Sequence, residues 1–219
     1  MEQVSRTAGG RREHKVSIPE IATTALAMID EHGLEALTMR GLAEAIGVTP
    51  MTLYRYLANK EMILAEVADL LWRELPPIDP AITGWREQLA AMWGQLFDLM
   101  LRHPHAVPLI ARGGSYSATA GSDTAGMLGV LKDAGFPAEL AGQFLHAASA
   151  LVVGYAFAHL WQHQARSGQA PQAPAGAAPV PPSELADYAR RMGPFTTEEF
   201  ADALDLLIDG FARRLPPTA

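Results

Sequence analysis

Between Thr38 and Lys60 the chain reads TMRGLAEAIGVTPMTLYRYLANK. Ala43, Gly47 and Leu53 stand here at the spacing of a helix-turn-helix: a small residue where two helices cross, a glycine in the turn, and an aliphatic residue that locks the second helix down. The turn position favours glycine because it requires a left-handed backbone. Leu53 and Leu57 take the inward face of the second helix, which leaves Thr49, Met51, Thr52, Arg55 and Tyr56 reachable from outside. A face of this kind can read a nucleic-acid duplex. Arg40 and Arg55 can each clamp a guanine bidentately, while Thr and Met side chains can touch a thymine methyl. The segment carries a formal charge of +2, from Arg40, Arg55 and Lys60 against Glu44, inside a chain of −7. No global positive field holds nucleic acid, so any DNA binding must be local. Helix N-termini expected at Thr38, Thr49 and Asn59 add free N–H groups that suit phosphate.

Other chemistries find less support. The chain has no Cys, which excludes a disulfide scaffold, a thiolate metal site and a cysteine nucleophile. His159 and His163 are spaced i, i+4 and could present two imidazoles to zinc, but neither HExxH nor a closely placed carboxylate completes a ligand set. Structural roles are expected for both, and for His103 and His105, which flank Pro104 at a helix end where imidazole caps carbonyls. His146, inside an apolar helix, is expected to be a hydrogen-bonded core residue or a ligand donor. Acidic residues of the second half are scattered on polar faces, and neither a phosphate-cradling glycine loop nor a nucleophile elbow is present. The chain is therefore not expected to be an enzyme, nor to need a metal or cofactor.

The elements that would carry these residues are all helical. With 49% hydrophobic and 19% charged residues, the chain can fill a core. Residues 1–16 form a polar, basic arm without the apolar run of a signal peptide, placed either to reach a minor groove or to stay solvated. Ser17-Ile18-Pro19-Glu20 offers a capping box, and Ile18, Ile21, Ala22, Ala25 and Ile29 then recur at helical spacing until Gly33. Thr38 caps a helix that stops at Gly47, Thr49 caps the next, and Asn59 caps a fourth that continues to about Leu75. Pro76-Pro77-Ile78-Asp79-Pro80 breaks the chain.

Beyond that break, Thr83 to Arg102 reads as a long helix closed by Pro104. A Gly/Ser/Thr-rich loop is expected at 113–123, and helix from Thr124 to Ala134. Pro137 opens a long helix containing 26 consecutive residues, Leu140 to Ala165, without Asp, Glu, Lys or Arg. Its polar residues, among them Gln143, His146, Ser149 and His159, leave an apolar heart too short for a membrane span, so a helix buried inside a protein is expected. Residues 167–182 hold five Pro and five Ala in sixteen positions and read as a mobile loop. A short helix over 183–191 and an amphipathic one from Thr196 to Arg214 complete the chain.

The run Leu37-Thr38, Leu42-Ala43, Gly47-Val48, Thr52-Leu53-Tyr54 and Asn59-Lys60, preceded by an amphipathic helix and Gly33, resembles the DNA-binding domain of the tetracycline-repressor (TetR) family. The resemblance covers residues 17–75 and implies a three-helix head on a helical body at 83–215, where Trp85, Leu101-Arg102-His103-Pro104 and Gly135-Phe136 are its landmarks. It implies that Thr38, Tyr54, Tyr56 and Lys60 position the DNA backbone, with Arg40, Thr49, Pro50, Met51, Thr52 and Arg55 facing base edges. Met51 and Arg55, both specificity positions, depart from the family pattern, so the operator cannot be copied from any relative. A cytoplasmic C2 homodimer is implied, packed through the uncharged helix and the last one, whose two heads bind a pseudo-palindromic double-stranded DNA operator.

The body is then expected to hold a small, largely apolar effector that releases the operator. Met92, Leu96, Ile110, Met127, Leu145, His146 and Ser149 are its expected lining, among aromatic side chains that would equally suit a helical core. Counted from Trp85, the positions where the family founder binds metal fall on Ile110 and near Ala158, neither of which can hold a metal-bound water. Metal–tetracycline chemistry is therefore not expected. Two alternatives stay open: a DNA-binding regulator without a small ligand, and a helical interaction module that binds no DNA.

Overall fold

The computed structural model describes residues 16–112, 118–166 and 195–215. The arm at 1–15, residues 113–117 of the expected glycine-rich loop, the Pro/Ala-rich stretch at 167–182 and the helix expected over 183–191 lie outside the described residues. Every regular element among the described residues is helical.

Helix α1 (Ile18–His32) begins as its sequence requires. The Ser17 hydroxyl accepts from the Glu20 amide and the Glu20 carboxylate accepts from the Ser17 amide, both at 3.4 Å. Gly33 ends it at φ +88°, a backbone region costly for any residue with a Cβ. A short 3-10 turn, Leu34–Ala36, which the sequence did not announce, leads into α2 (Met39–Ile46). The Thr38 hydroxyl caps α2 at Gly41 N, 3.1 Å, and Gly47 closes it in the left-handed conformation. Helix α3 (Pro50–Tyr56) is capped by Thr49, and α4 (Lys60–Trp72) by Asn59. Helix α4 stops at Trp72 rather than near Leu75. Glu74 N and Leu75 N bond three residues back instead of four, as expected where the following Pro76 drives Leu75 out of helical backbone.

Helix α5 (Trp85–Arg102) starts one residue after Gly84, later than the expected Thr83; the Gln88 side chain holds the incoming chain, its Nε2 donating to the Ile82 carbonyl at 2.8 Å. A 3-10 turn (Pro104–Ala106) and a four-residue helix, α6 (Val107–Ile110), follow. Helix α7 (Ala118–Asp133) begins six residues before the expected Thr124. Its first turn has no apolar periodicity to reveal it. The turn is held from outside instead, with the Thr119 amide donating to Asp69 Oδ1 of α4 at 3.3 Å. Helix α8 (Ala138–Arg166) is the long uncharged one, and α9 (Thr197–Ala212) opens on a second capping box, Thr196 with Glu199.

One apolar cluster runs through the molecule. In the N-terminal head, α1 packs along α4 and α2, burying Ile21, Ala25, Ile29, Leu42, Leu53, Leu57 and Val67. In the body, α5 packs against α7, α8 and α9. Phe97 stacks on Phe200 with ring centres 4.2 Å apart, and Phe144 meets Phe211 edge-on at 5.4 Å. Helix α8 buries one stripe, Phe144, Ala148, Val152 and Ala156, at a spacing of four. Its segment Ala138–Gln162 is long and apolar enough to cross a membrane, with a mean hydropathy of 1.4. Only about a third of that segment is buried: one stripe lies against α5, α7 and α9 while the opposite face is exposed, so the helix is not enclosed in the way expected of it.

Candidate functional site

The helix-turn-helix is assembled as the spacing implies. Ala43 and Leu53 are fully buried where α2 and α3 cross, and Gly47 turns the chain at φ +83°. The Gly47 and Val48 amides both bond to the Ala43 carbonyl, which satisfies the end of α2. With Leu53 and Leu57 facing inward, Thr49, Pro50, Met51, Tyr54, Arg55 and Tyr56 are exposed together, and Thr38 and Arg40 are exposed on α2 and its cap. Met51, 73% exposed, is a large apolar side chain with no intramolecular reason to be outside.

Three details refine the expected surface. Thr52 is half-buried, and its hydroxyl is hydrogen-bonded to that of Thr49 at 3.0 Å. Lys60 is half-buried too, its ammonium donating to the Leu34 carbonyl at 3.4 Å and so bracing the 3-10 turn against α4. The caps Thr38, Thr49 and Asn59 each consume one amide, and Pro50 has none, so the start of α3 offers phosphate fewer donors than a generic helix N-terminus.

The body departs further from expectation. Leu96, Ile110 and Met127 are buried in the packed core, while Met92 and Leu145 are half-buried. His146 and Ser149 are exposed, contrary to the expected core or ligand-donor role for His146. The reason is angular: the inward stripe of α8 starts at Phe144, and His146 lies about 200° around the helix from it. The same outward face carries Ala150, Gly154, Phe157 and Trp161. The expected lining residues thus do not converge on one space.

An open groove of about 480 Å³ instead lies where the linker meets α5 and α7, lined by Ile78, Asp79, Pro80, Ile82, Thr83, Gln88, Met92, Gly126 and Val130. Of the expected residues Met92 alone reaches it. The proline-rich linker reads in sequence as a boundary, which hides its second role as a wall. Two buried indole N–H groups, Trp72 and Trp93, have no acceptor among the described residues, and burying a donor unpaired is costly enough to call for a reason. On α7, burial pushes the Asp123 carboxyl above its ordinary value.

The histidines take structural places. His159 Nδ1 donates to the Phe195 carbonyl at 2.6 Å, tying α8 to the start of α9; the His163 side chain lies outside the described residues. His105 Nδ1 does reach a carbonyl, that of Asp30 on α1, at 2.9 Å. His103 does not cap a carbonyl with its ring: both nitrogens meet carboxylates.

Comparison with known proteins agrees with this architecture. Residues 21–67 match the family described as bacterial regulatory proteins, tetR family, and residues 77–215 match the tetracyclin repressor-like C-terminal domain. The chain is 34% identical over 90 residues to the HTH-type transcriptional repressor DrrR1 of Streptomyces coeruleorubidus, a match that covers 41% of this chain and only 33% of that one. Its fold is similar to the crystal structure of a possible TetR family transcriptional regulator from Streptomyces coelicolor A3(2), with a TM-score of 0.73 at 25% identity over 90% of this chain and 100% of that one. It also shares the fold of the Streptomyces coelicolor TetR family protein ActR in complex with actinorhodin, with a TM-score of 0.70 at 21% identity over 91% and 98% of the two chains. With both domain models matched in order along one helical fold, the chain belongs to the tetR family of bacterial regulatory proteins and is a helix-turn-helix, DNA-binding regulator of transcription.

Proposed function

We propose that the protein is a cytoplasmic homodimeric repressor that holds a pseudo-palindromic operator and releases it when a small, largely apolar effector enters the body. The observation that carries this reading is the exposed face of α3, held outward by the fully buried Leu53 and Leu57. In this reading Thr38, Tyr54, Tyr56 and Lys60 hold the DNA backbone, and Arg40, Thr49, Pro50, Met51, Thr52 and Arg55 read base edges in the major groove. Dimerisation uses the outward faces of α8 and α9. His146, Ser149, Ala150, Gly154 and Phe157 on one, with Leu206 at 74% exposure on the other, form a surface of small and apolar residues on which two copies can pack as a four-helix bundle.

The effector enters by the groove beside Met92. Its walls are mainly aliphatic, with Thr83, Gln88 and the Asp79 carboxylate as polar handles. Release requires the effector to bind the DNA-free state better by the coupling energy, typically about 1–3 kcal/mol. The tight burial of Leu96, Ile110 and Met127 favours a second reading, a regulator with no small ligand.

Fluorescence anisotropy of the purified protein on its own upstream intergenic DNA, against a scrambled duplex across a salt series, tests the core of the reading. A specificity ratio above about 10³ is expected. Equal and weak binding to both duplexes would overturn the repressor reading for that site. Once an operator is in hand, compounds that fail at saturation to change its affinity would favour the ligand-free alternative.

A further inference from the structure

The head and body meet at one side chain that belongs, by position, to both. His103 is the residue after α5, and its ring is 14% exposed. Nδ1 lies 2.9 Å from Asp30 Oδ2 in the last turn of α1, and Nε2 lies 3.1 Å from Glu74 Oε2 just beyond α4. Arg102 Nη2 stands 3.6 Å from the same Glu74 oxygen. The neighbouring His105 holds the Asp30 backbone carbonyl at 2.9 Å, so Asp30 is gripped by its side chain and its main chain at once. Carboxylate oxygens face both ring nitrogens, and a ring carrying both protons donates to both. Three elements therefore end on one imidazole: α1 and α4 from the head, α5 from the body.

We propose that His103 is a positioning residue that pins the head to the body and thereby sets the angle at which α3 is presented. Helix α2 packs on α1 and α3 packs on α2, so the end of α1 is a lever for the reading helix through α2. Glu74 lies where α4 hands over to the linker that forms one wall of the groove beside Met92. A change in the body that moves the end of α5 is passed to both head helices through the ring. Without the ring, the Asp30 and Glu74 carboxylates face each other across the space it filled, with Arg102 as counter-charge to Glu74. Their repulsion separates the elements the imidazole had joined. Neither carboxylate belongs to the exposed face of α3, so the pin acts on head geometry and not on DNA contacts. This rests on the reading that the head binds an operator.

Two measurements test it. Operator affinity is read by anisotropy across a salt series for wild type, His103→Ala, Asp30→Asn, Glu74→Gln and the His103→Ala/Asp30→Asn double variant. If the pin selects the binding-competent head angle, His103→Ala weakens affinity about tenfold by reducing the competent fraction. The slope of log affinity against log salt stays unchanged, because no phosphate contact is lost. Each carboxylate variant weakens binding less, and Asp30→Asn on top of His103→Ala restores part of the loss by removing the carboxylate repulsion. The second measurement uses the absence of Cys in the chain. Spin labels at Ala27→Cys on α1 and Lys132→Cys on α7, diluted into unlabelled protein, report the intrachain head–body distance. A narrow distribution is expected for wild type and a broad one for His103→Ala.

Wild-type affinity and an unchanged distance distribution in a folded His103→Ala protein would overturn the proposal. So would a lost affinity accompanied by a shallower salt slope, which marks a lost DNA contact instead. Should His103→Ala fail to fold, Asp30→Asn and Glu74→Gln each break one arm and are read the same way. Should the wild type bind no operator, the DNA reading fails at that site while the distance distribution still decides the pin.

Discussion

The head and the body share one apolar cluster, yet they are specified in different ways. Each head helix carries its own start signal: the side chains of Ser17, Thr38, Thr49 and Asn59 each accept from the first turn they cap. Gly33 and Gly47 supply the stops with positive φ. In the body α9 has its own cap at Thr196, but α5 and α6, entered from Gly84 and Ala106, have no side-chain cap, and the first turn of α7 is held by Asp69 from a different helix. What fixes the body is fit between distant large side chains, Phe97 on Phe200 and Tyr155 edge-on to both Phe195 and Phe200. A region built from local signals keeps its shape while its outer residues change, as a DNA reader must. A region built from tertiary fit depends on each large side chain in its interior.

The sharpest way to break this contrast is to cut each region at its most buried point. Phe97→Ala removes a fully buried ring from the body stack and should cost about 3–5 kcal/mol, while Leu53→Ala in the head should cost about 2–5 kcal/mol. Calorimetry should show Phe97→Ala lowering the main transition by roughly 10 °C. Leu53→Ala should abolish operator binding in anisotropy and leave most of the body's transition in place. If Leu53→Ala lowers the whole transition as far as Phe97→Ala does, the shared cluster couples the two regions into one folding unit and the contrast fails.

The same contrast decides what could be read from the sequence. Caps, glycine stops and the Ala43–Gly47–Leu53 spacing are short-range patterns, so the four head helices and their exposed face were legible. The start of α7 at Ala118 was not, because its cap comes from Asp69, about fifty positions away in the chain. The uncharged helix gives no polar face to orient His146, and only the packing of Phe144, Ala148 and Val152 shows which side is inward. The groove beside Met92 draws most of its walls from a linker whose sequence signals only a break. His103 stands at a helix end in the sequence, but its carboxylate partners come from α1 and from the chain after α4. No periodicity within either segment marks such a meeting.

Within the head, two single substitutions separate reading from holding. Arg55→Ala should cost about 1–3 kcal/mol on the preferred operator and relax preference at particular base pairs, seen by competition among single-base operator variants. Lys60→Ala should weaken all sequences alike and lower the salt slope by about 1 per head. Since the Lys60 ammonium also braces the Leu34 carbonyl, the slope is the decisive readout. A uniform loss of affinity with an unchanged slope would assign Lys60 to the support of the head and remove it from the DNA surface.

The smallest expected effect tests the electrostatic side of the body. Burial raises the Asp123 carboxyl above its ordinary value of 3.8, so the folded state holds that proton more tightly than the unfolded chain does. For an acid shifted this way, stability is full below the ordinary value and falls as pH rises through the folded one. At neutral pH the charged carboxylate is therefore a net cost, one that solvent screens because Asp123 is only half-buried. Asp123→Asn should raise the melting temperature at pH 7 by less than about 2 °C. The gain should vanish by about pH 3, where the native side chain is itself neutral. A gain at Asp123 that persists in acid would point to better hydrogen bonding by the amide, and would remove desolvation as the reason this part of α7 resists its own charge.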